Sequence, residues 1–507
     1  MASLDLIYFG GIMKKVILIA FYFNQVNEIA SKRLRGLAEY LPFFGYEPIV
    51  IVPDLGFTPS ENEDLDARII TTEYEDMFSH YRSKLPFKNS SISNDGDSNH
   101  AAESAASNPS DSNIKLRDSS SVGNPIVSKA ISLAGEVFAY PDGMKYWHGP
   151  AFKAACDIIE KEEIAGIISS SWPITCHTIA KDLKRKYGIP WIADLRDLWN
   201  LNPYVSHTAI RTRFERNLEM KTFEDVDVLT VTTDLAAQTL ATLHPDKKIV
   251  SILSGYSKED FRVIDEVLNK SKSSDSDEDY NRGSLDDSDA LEDNRNRGSL
   301  DDNHNLGSSK VTDSFGDSHE NTKLKFIYAG SLYSGKRDPT LLFKAIRELD
   351  DENRIDSSKL DISFYGDSGN LLDIAGKYGL SNILNIGGKV PHKTVLEREA
   401  QSDVLLLISW NSPNEQMFIP GKIYEYFALA KPVLSIGYKS GSLKDLIDKT
   451  GIGYHVANLE DTKDALLKFY DEFMEKGAVE LNSNLNIEEY SMETMAGKFA
   501  RLLDDLA

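Results

Sequence analysis

Cysteine is nearly absent: the 507 residues hold two, Cys156 and Cys176, in no metal-type spacing. That excludes a disulfide framework and a cysteine-rich zinc site, and it fits a reducing compartment such as the cytoplasm. Long apolar runs are missing too, and no stretch nears the roughly 18 to 20 residues that a bilayer-spanning helix needs. Positive charge is in deficit, with 56 Lys and Arg against 79 Asp and Glu and a formal net charge of -23. Nucleic acid is therefore not an expected partner, because phosphate binding needs a net basic face. What is present is an ordinary globular composition, 41% hydrophobic, on a chain long enough for two cores.

The order of apolar runs predicts an α/β protein. Val16–Phe21 is a continuous apolar run, the pattern of a buried parallel strand. A helical period over Glu28–Leu41 and a second strand at Pro48–Val52 complete a βαβ unit. Further strands are expected at Ala165–Ser169, Pro190–Ala193, Val226–Val231 and Lys248–Leu253. The pattern then restarts at Lys325–Gly330 and continues through Leu360–Tyr365, Val404–Ile408 and Pro432–Ile436. Two low-complexity stretches interrupt it. Residues 88–124 are rich in Ser, Asn, Asp and Ala, and residues 266–322 hold 15 acidic against 6 basic residues.

The resulting division is a loose tail or extended start at 1–12, a first Rossmann-like domain at 13–260 and an acidic linker at 261–322. A second Rossmann-like domain follows at 323–485, and a helix at 486–507 is expected to pack back on the first domain.

In an open parallel sheet, ligands gather at the carboxyl ends of strands, near glycine turns and helix N-termini. Gly330-Ser331 and Gly335-Lys336-Arg337 follow a strand, so amides and cations there suit a diphosphate, although a plain turn with exposed cations reads equally well. Pro420-Gly421-Lys422 opens a helix, which sets Lys422 and free amides at its positive end. Glu425, one turn on, would accept ribose hydroxyls, or else it pairs with Lys422 on a solvated face. Lys449-Thr450-Gly451-Ile452-Gly453 is a third glycine turn, weaker and expected on the same side. His177 opens a helix after a strand and either faces the cleft or is packed. Lys181, Lys184, Arg185 and Lys186 form a basic helix face, either simply solvated or touching anionic lipid head groups.

Taken in order, Ser402–Leu407, the PGKIYEY block at 420–426, Ala430–Leu434 and the 450–453 turn resemble the donor half of the family 4 glycosyltransferases. The block Gly188–Trp199, with Arg196 and Asp197 inside it, and the Arg-bearing helix Ala30–Arg33 resemble the acceptor half. The resemblance implies a GT-B architecture, two Rossmann-like domains with parallel sheets facing across a cleft. It also implies sugar transfer from a nucleotide-sugar to a hydroxyl acceptor, with retention of configuration. UDP- or GDP-sugar would be the co-substrate, with no metal or other cofactor, and the acceptor would be a glycan or lipid-linked precursor. The protein would work in the cytoplasm, with peripheral contact at the inner membrane face left open.

On this resemblance Lys336, Lys422, Arg196 and Asp197 are the catalytic candidates. Gly330, Ser331, Lys336, Arg337, Gly421, Lys422 and Glu425 would bind the donor. Three departures stand out. The first of the family's paired glutamates falls on Met417, its Arg after the strand glycine is Ser331, and its sugar-contacting His falls on Arg196. They leave open a catalytically weak donor-binding subunit, or a sugar-nucleotide epimerase of the same architecture.

Overall fold

Each apolar run named above is a strand in one of two parallel sheets. The structure, a computed structural model, describes residues 13–25, 29–56, 65, 67–76, 140–205, 207–257, 262, 323–481 and 486–507. The leading dozen residues, the 88–124 stretch and nearly all of 261–322 lie outside the described residues.

The first sheet contains β1 (Lys14–Ile19), β2 (Tyr46–Pro53), β3 (Arg68–Thr72), β4 (Ile164–Ser171), β5 (Trp191–Leu195), β6 (Val228–Val231) and β7 (Lys248–Ser251). Their order is β3-β2-β1-β4-β5-β6-β7. The second contains β8 (Leu324–Ala329), β9 (Leu360–Tyr365), β10 (Leu384–Gly388), β11 (Val404–Ile408), β12 (Val433–Ile436) and β13 (Gly453–Val456), ordered β10-β9-β8-β11-β12-β13. Every ladder is parallel. Both sheets are doubly wound, and strand order reverses between β1 and β4 in one and between β8 and β11 in the other.

Helices cover both faces, which is why Val16–Ala20 and Val404–Leu406 are fully buried over consecutive residues. Around the first sheet lie α1 (Ile29–Tyr40), α2 (His148–Ile159), α3 (Thr175–Tyr187), α4 (Ala209–Thr222) and α5 (Asp234–Ala241). Around the second lie α6 (Thr340–Asp351), α7 (Leu371–Lys377), α8 (His392–Ala400), α9 (Lys422–Leu429), α10 (Ser442–Thr450) and α11 (Leu459–Lys476). In α6, Leu342, Phe343, Ala345, Ile346 and Leu349 are buried along one stripe. Each large side chain buried there contributes about 1.5–3 kcal/mol.

The last helix, α12 (Met492–Leu506), buries Met492, Met495, Phe499 and Leu503 in the same core as Val16, Leu34 and Leu37 of β1 and α1. The chain therefore crosses back to the first sheet after completing the second. At the crossing, Tyr256 donates its N–H to Tyr490 O (3.0 Å), and Met492 donates to Tyr256 O (3.0 Å). Gly255 is required there, since a Cβ would stand 2.3 Å from the Ser491 carbonyl carbon.

Candidate functional site

Loops at the carboxyl ends of β8, β9 and β10 are laced together. Gly330 N–H donates to Tyr365 O (2.9 Å), Leu332 N–H to Asp367 O (3.1 Å) and Gly366 N–H to Gly388 O (2.7 Å). Gly366 sits at φ +108, and a Cβ there would lie 2.4 Å from the Gly330 carbonyl oxygen, so neither condition admits a side chain. Gly335 N–H and Lys336 N–H are also bonded within the loop. The amides of Gly330 and Gly335, expected to face an anion, are therefore engaged, and the side chains of Lys336 and Arg337 supply the positive charge. Lys336 is exposed, with its Nζ 5.5 Å from the Trp410 ring centroid. The Arg337 guanidinium stacks on Tyr333 at 4.5 Å and reaches back to within 3.5 Å of the Ser331 carbonyl. It thus brings charge to the position that Ser331 leaves neutral.

Helix α9 begins at Lys422 because Pro420-Gly421 interrupts the chain before it. Ile423, Tyr424, Tyr426 and Phe427 bury its inner face, and the Tyr426 hydroxyl donates to Leu406 O (3.0 Å), tying the helix to β11. Lys422 and Glu425, three residues apart, share one side at 3.2 Å. Lys422 also meets Glu399 of α8 at 3.0 Å. Glu399 is fully buried, and its Oε2 has no hydrogen-bond partner.

Burial and the neighbouring Glu425 push the Glu399 carboxyl up, although Lys422 opposes this. Burial also disfavours ionised Glu425, but Lys422, a hydrogen bond from His392 and the charge of Lys32 outweigh it and hold Glu425 well below the usual carboxylate range. The two carboxylates thus titrate in opposite directions around one ammonium, whose own pKa is raised by Glu399 and Glu425 against its burial. The amides of Gly421 and Lys422 donate to no backbone acceptor among the described residues.

The first domain closes over this end. Lys32 of α1 bonds Glu425 Oε1 at 2.9 Å, across 393 residues of sequence. Tyr204 stacks on Trp410 (5.6 Å), packs on Phe418 (5.2 Å) and donates its hydroxyl to Glu415. Thr233 Oγ1 donates to Met417 O at 2.9 Å. Met417, where the resemblance calls for a carboxylate, packs on the first domain's core instead.

The remaining candidates lie at the facing edge of the first sheet. Arg196 donates from Nε to Ser171 O (2.7 Å) and from Nη1 to Ala30 O, so its guanidinium fixes β4 to the start of α1. Asp197 is half-buried and holds no hydrogen bond or ion pair among the described residues, and burial raises its pKa while Arg196 opposes. His177 is fully buried, with Nδ1 2.8 Å from Ser169 Oγ, and therefore does not face the cleft.

One expectation changes, and one alternative narrows. The 449–453 turn lies at the amino end of β13, where Gly451 caps α10, and so stands away from the carboxyl-end crevice. In the basic cluster of α3, Lys181 pairs with Asp182, Lys184 with Asp227, Arg185 with Asp225 and Glu224, and Lys186 with Glu160. That helix face is internally neutralised. Lys32, Tyr204, Trp410, Glu399 and His392 complete the cluster and went unassigned in the sequence. Trp410 carried a readable signal, an aromatic just past a strand that borders the strand-order reversal.

No family model matches the chain, and no curated protein matches it significantly. Among solved structures it is similar to sucrose-phosphate synthase from Thermosynechococcus elongatus, with TM-score 0.51, 12% identity and coverage of 97% of this chain and 99% of that one. It is also similar to HepE from Anabaena, solved with UDP-glucose, with TM-score 0.50, 11% identity and coverage of 97% and 99%. The class the fold defines is GT-B: two parallel-sheet α/β domains facing across a cleft.

Proposed function

We propose that the chain is a glycosyltransferase of the family 4 type, moving a hexosyl or N-acetylhexosaminyl group from a nucleotide-sugar to a hydroxyl of a glycan, glycolipid or polysaccharide precursor. The observation that carries this is the set of cations beside the strand-order reversal of the second sheet: Lys336 over Trp410, Arg337 at the Tyr328 hydroxyl, and Lys422, paired with Glu425, over Tyr426. Cleaving an anomeric C–O bond to a diphosphate builds negative charge on the leaving phosphate. Fixed cations and the amino end of α9 lower that barrier.

Glu425, released from Lys32 as the domains open, would accept ribose hydroxyls. Asp197, which holds no hydrogen bond or ion pair among the described residues, would meet the acceptor or the sugar. In a retaining transfer the acceptor oxygen bonds the anomeric carbon on the face the phosphate leaves, and the departing phosphate takes the acceptor proton. The UDP-glucose bound to HepE makes a uridine donor the first to try.

The test is a thermal-shift panel of UDP-, GDP-, ADP- and dTDP-sugars on the full chain, followed by product analysis with added acceptors. A ligand of the native state raises the melting temperature by mass action. Binding without product for any acceptor would favour the weak-subunit reading, which Met417 and Ser331 support. Absence of any shift would overturn both.

A further inference from the structure

Helix α4 is built inside out. Its two acidic residues point inward, where Glu215 accepts from Trp199 Nε1 (2.8 Å) and Arg211 (2.6 Å). Glu219 accepts from Asn200 N–H (3.1 Å) and lies 3.2 Å from His244 Nε2. Both glutamates are essentially buried, while three of the four large apolar side chains face solvent: Ile210 is 72% exposed, Phe214 59% and Met220 43%, and only Leu218 packs on the core. Ile210 and Phe214, four apart, form one ridge. Arg213, Arg216 and Lys221 are exposed beside it, and none enters an ion pair or hydrogen bond among the described residues. The nearest acids past the helix end, Glu224 and Asp225, are taken up by Arg185. On a chain of net charge -23, this outer face of the helix presents three cations and no acid of its own, and the cations are unpaired among the described residues.

We propose that the outward face of α4 docks on an anionic lipid surface. Apolar side chains flanked by long cations match the interface of a bilayer, where the ridge enters the acyl boundary and Arg or Lys reach the headgroups. The cations sit on long flexible stems beside the apolar ridge, an arrangement that suits headgroups above an acyl boundary. Among the described residues no helix is long and apolar enough to cross a membrane, so α4 would lie in the interface plane. Its position has a consequence: Ala209 stands five positions past Tyr204, which seals the cleft against Trp410 and Glu415. Docking through α4 would set the cleft mouth beside the membrane. The proposal does not depend on the transfer reading.

The test is co-flotation of the full chain with vesicles of phosphatidylcholine alone or mixed with phosphatidylglycerol. Binding is expected to the mixed vesicles only and to weaken as salt is raised. The Arg213→Glu/Arg216→Glu pair should lower partitioning about tenfold or more. The Ile210→Asp/Phe214→Asp pair should abolish it. All four side chains are exposed, so melting temperature and nucleotide-sugar binding should be unchanged, and those two readouts separate this proposal from the transfer reading. Flotation that survives both variants, or no flotation of the wild type, overturns it. So does self-association in sedimentation that Phe214→Asp removes, since the face would then belong to a second copy.

Discussion

Near the strand-order reversal of the first sheet, the most deeply buried charges are used on one another. Arg33 lies against Asp194 at 2.9 and 3.0 Å, and Ser170 and Thr230 donate to the same carboxylate. Arg33 and Asp194 are 3% and 0% exposed. Trp191, Ser169 and His177 form a second chain of hydrogen bonds beside them, ending at the buried His177 Nε2. At the equivalent place in the second sheet, Lys336 is exposed over Trp410, Arg337 has only long contacts, and Glu399 keeps an unpaired oxygen. One topology thus serves two ends. The first crevice ties its most buried charge pair, Arg33 and Asp194, into the core, and the second keeps cations available for a ligand.

The contrast can be broken most severely at Arg33. Arg33→Ala leaves Asp194 charged and unpaired in the interior, which is expected to cost about 3–5 kcal/mol. Denaturant titration should show this as a large fall in midpoint at unchanged slope. A loss under about 1 kcal/mol, within the range of exposed ion pairs, would mean the first crevice is not the rigid partner.

His177 gives the next largest effect and ties it to pH. Trp191 Nε1 donates to Ser169 Oγ, which lies 2.8 Å from His177 Nδ1; the His177 ring packs on Phe223 at 5.3 Å between centroids, and its Nε2 is buried without a hydrogen-bond partner. Burial drives the His177 pKa down to about 3; Asp194 opposes this, and Arg196 adds to it. The unfolded chain therefore takes up a proton that the native state refuses. The contribution of His177 is intact above the unfolded value of about 6.5 and is lost as pH falls toward 3, by at most about 1.4 kcal/mol per pH unit. His177→Gln should lower stability at neutral pH yet flatten this acid limb. An unaltered slope between about pH 6 and about pH 4 would show that His177 is not the proton acceptor.

In the second crevice the expected effect moves from stability to affinity. Glu425→Ala should weaken nucleotide-sugar binding about tenfold to a hundredfold, the range for a hydrogen bond to a charged group. Calorimetry showing unchanged donor affinity would remove Glu425 from the site.

The contrast was only partly legible in the sequence. Strands such as Val404–Ile408 were readable because burial on both faces leaves no polar interruption. The start of α9 was readable from Pro420-Gly421, and with it the pairing of Lys422 and Glu425 on one helix face. Helix α4 was not, because its buried positions are Glu215, Glu219 and Thr222, which mask the apolar period. Strand β3 was missed for a related reason: it lies at the sheet edge and is half exposed. The closing contacts, Lys32 to Glu425 and Tyr204 to Trp410, join residues about 200 to 400 positions apart, and no local pattern encodes such a meeting.

The smallest effect separates two roles for Lys32. Its pair with Glu425 is partly exposed, at 29% and 13%, so Lys32→Ala should change stability by less than about 1 kcal/mol. If Lys32 only covers Glu425, a donor must displace it, and its removal should tighten nucleotide-sugar binding about two- to fivefold, the equivalent of 0.4–1 kcal/mol. If Lys32 instead follows the opening domain onto the diphosphate, the same substitution should loosen binding and steepen its loss with salt. Calorimetry of Lys32→Ala with the best donor, repeated at low and high salt, decides between them. A tightened affinity would make the first domain a cover for the second crevice, and a loosened one would make it a contributor to the site.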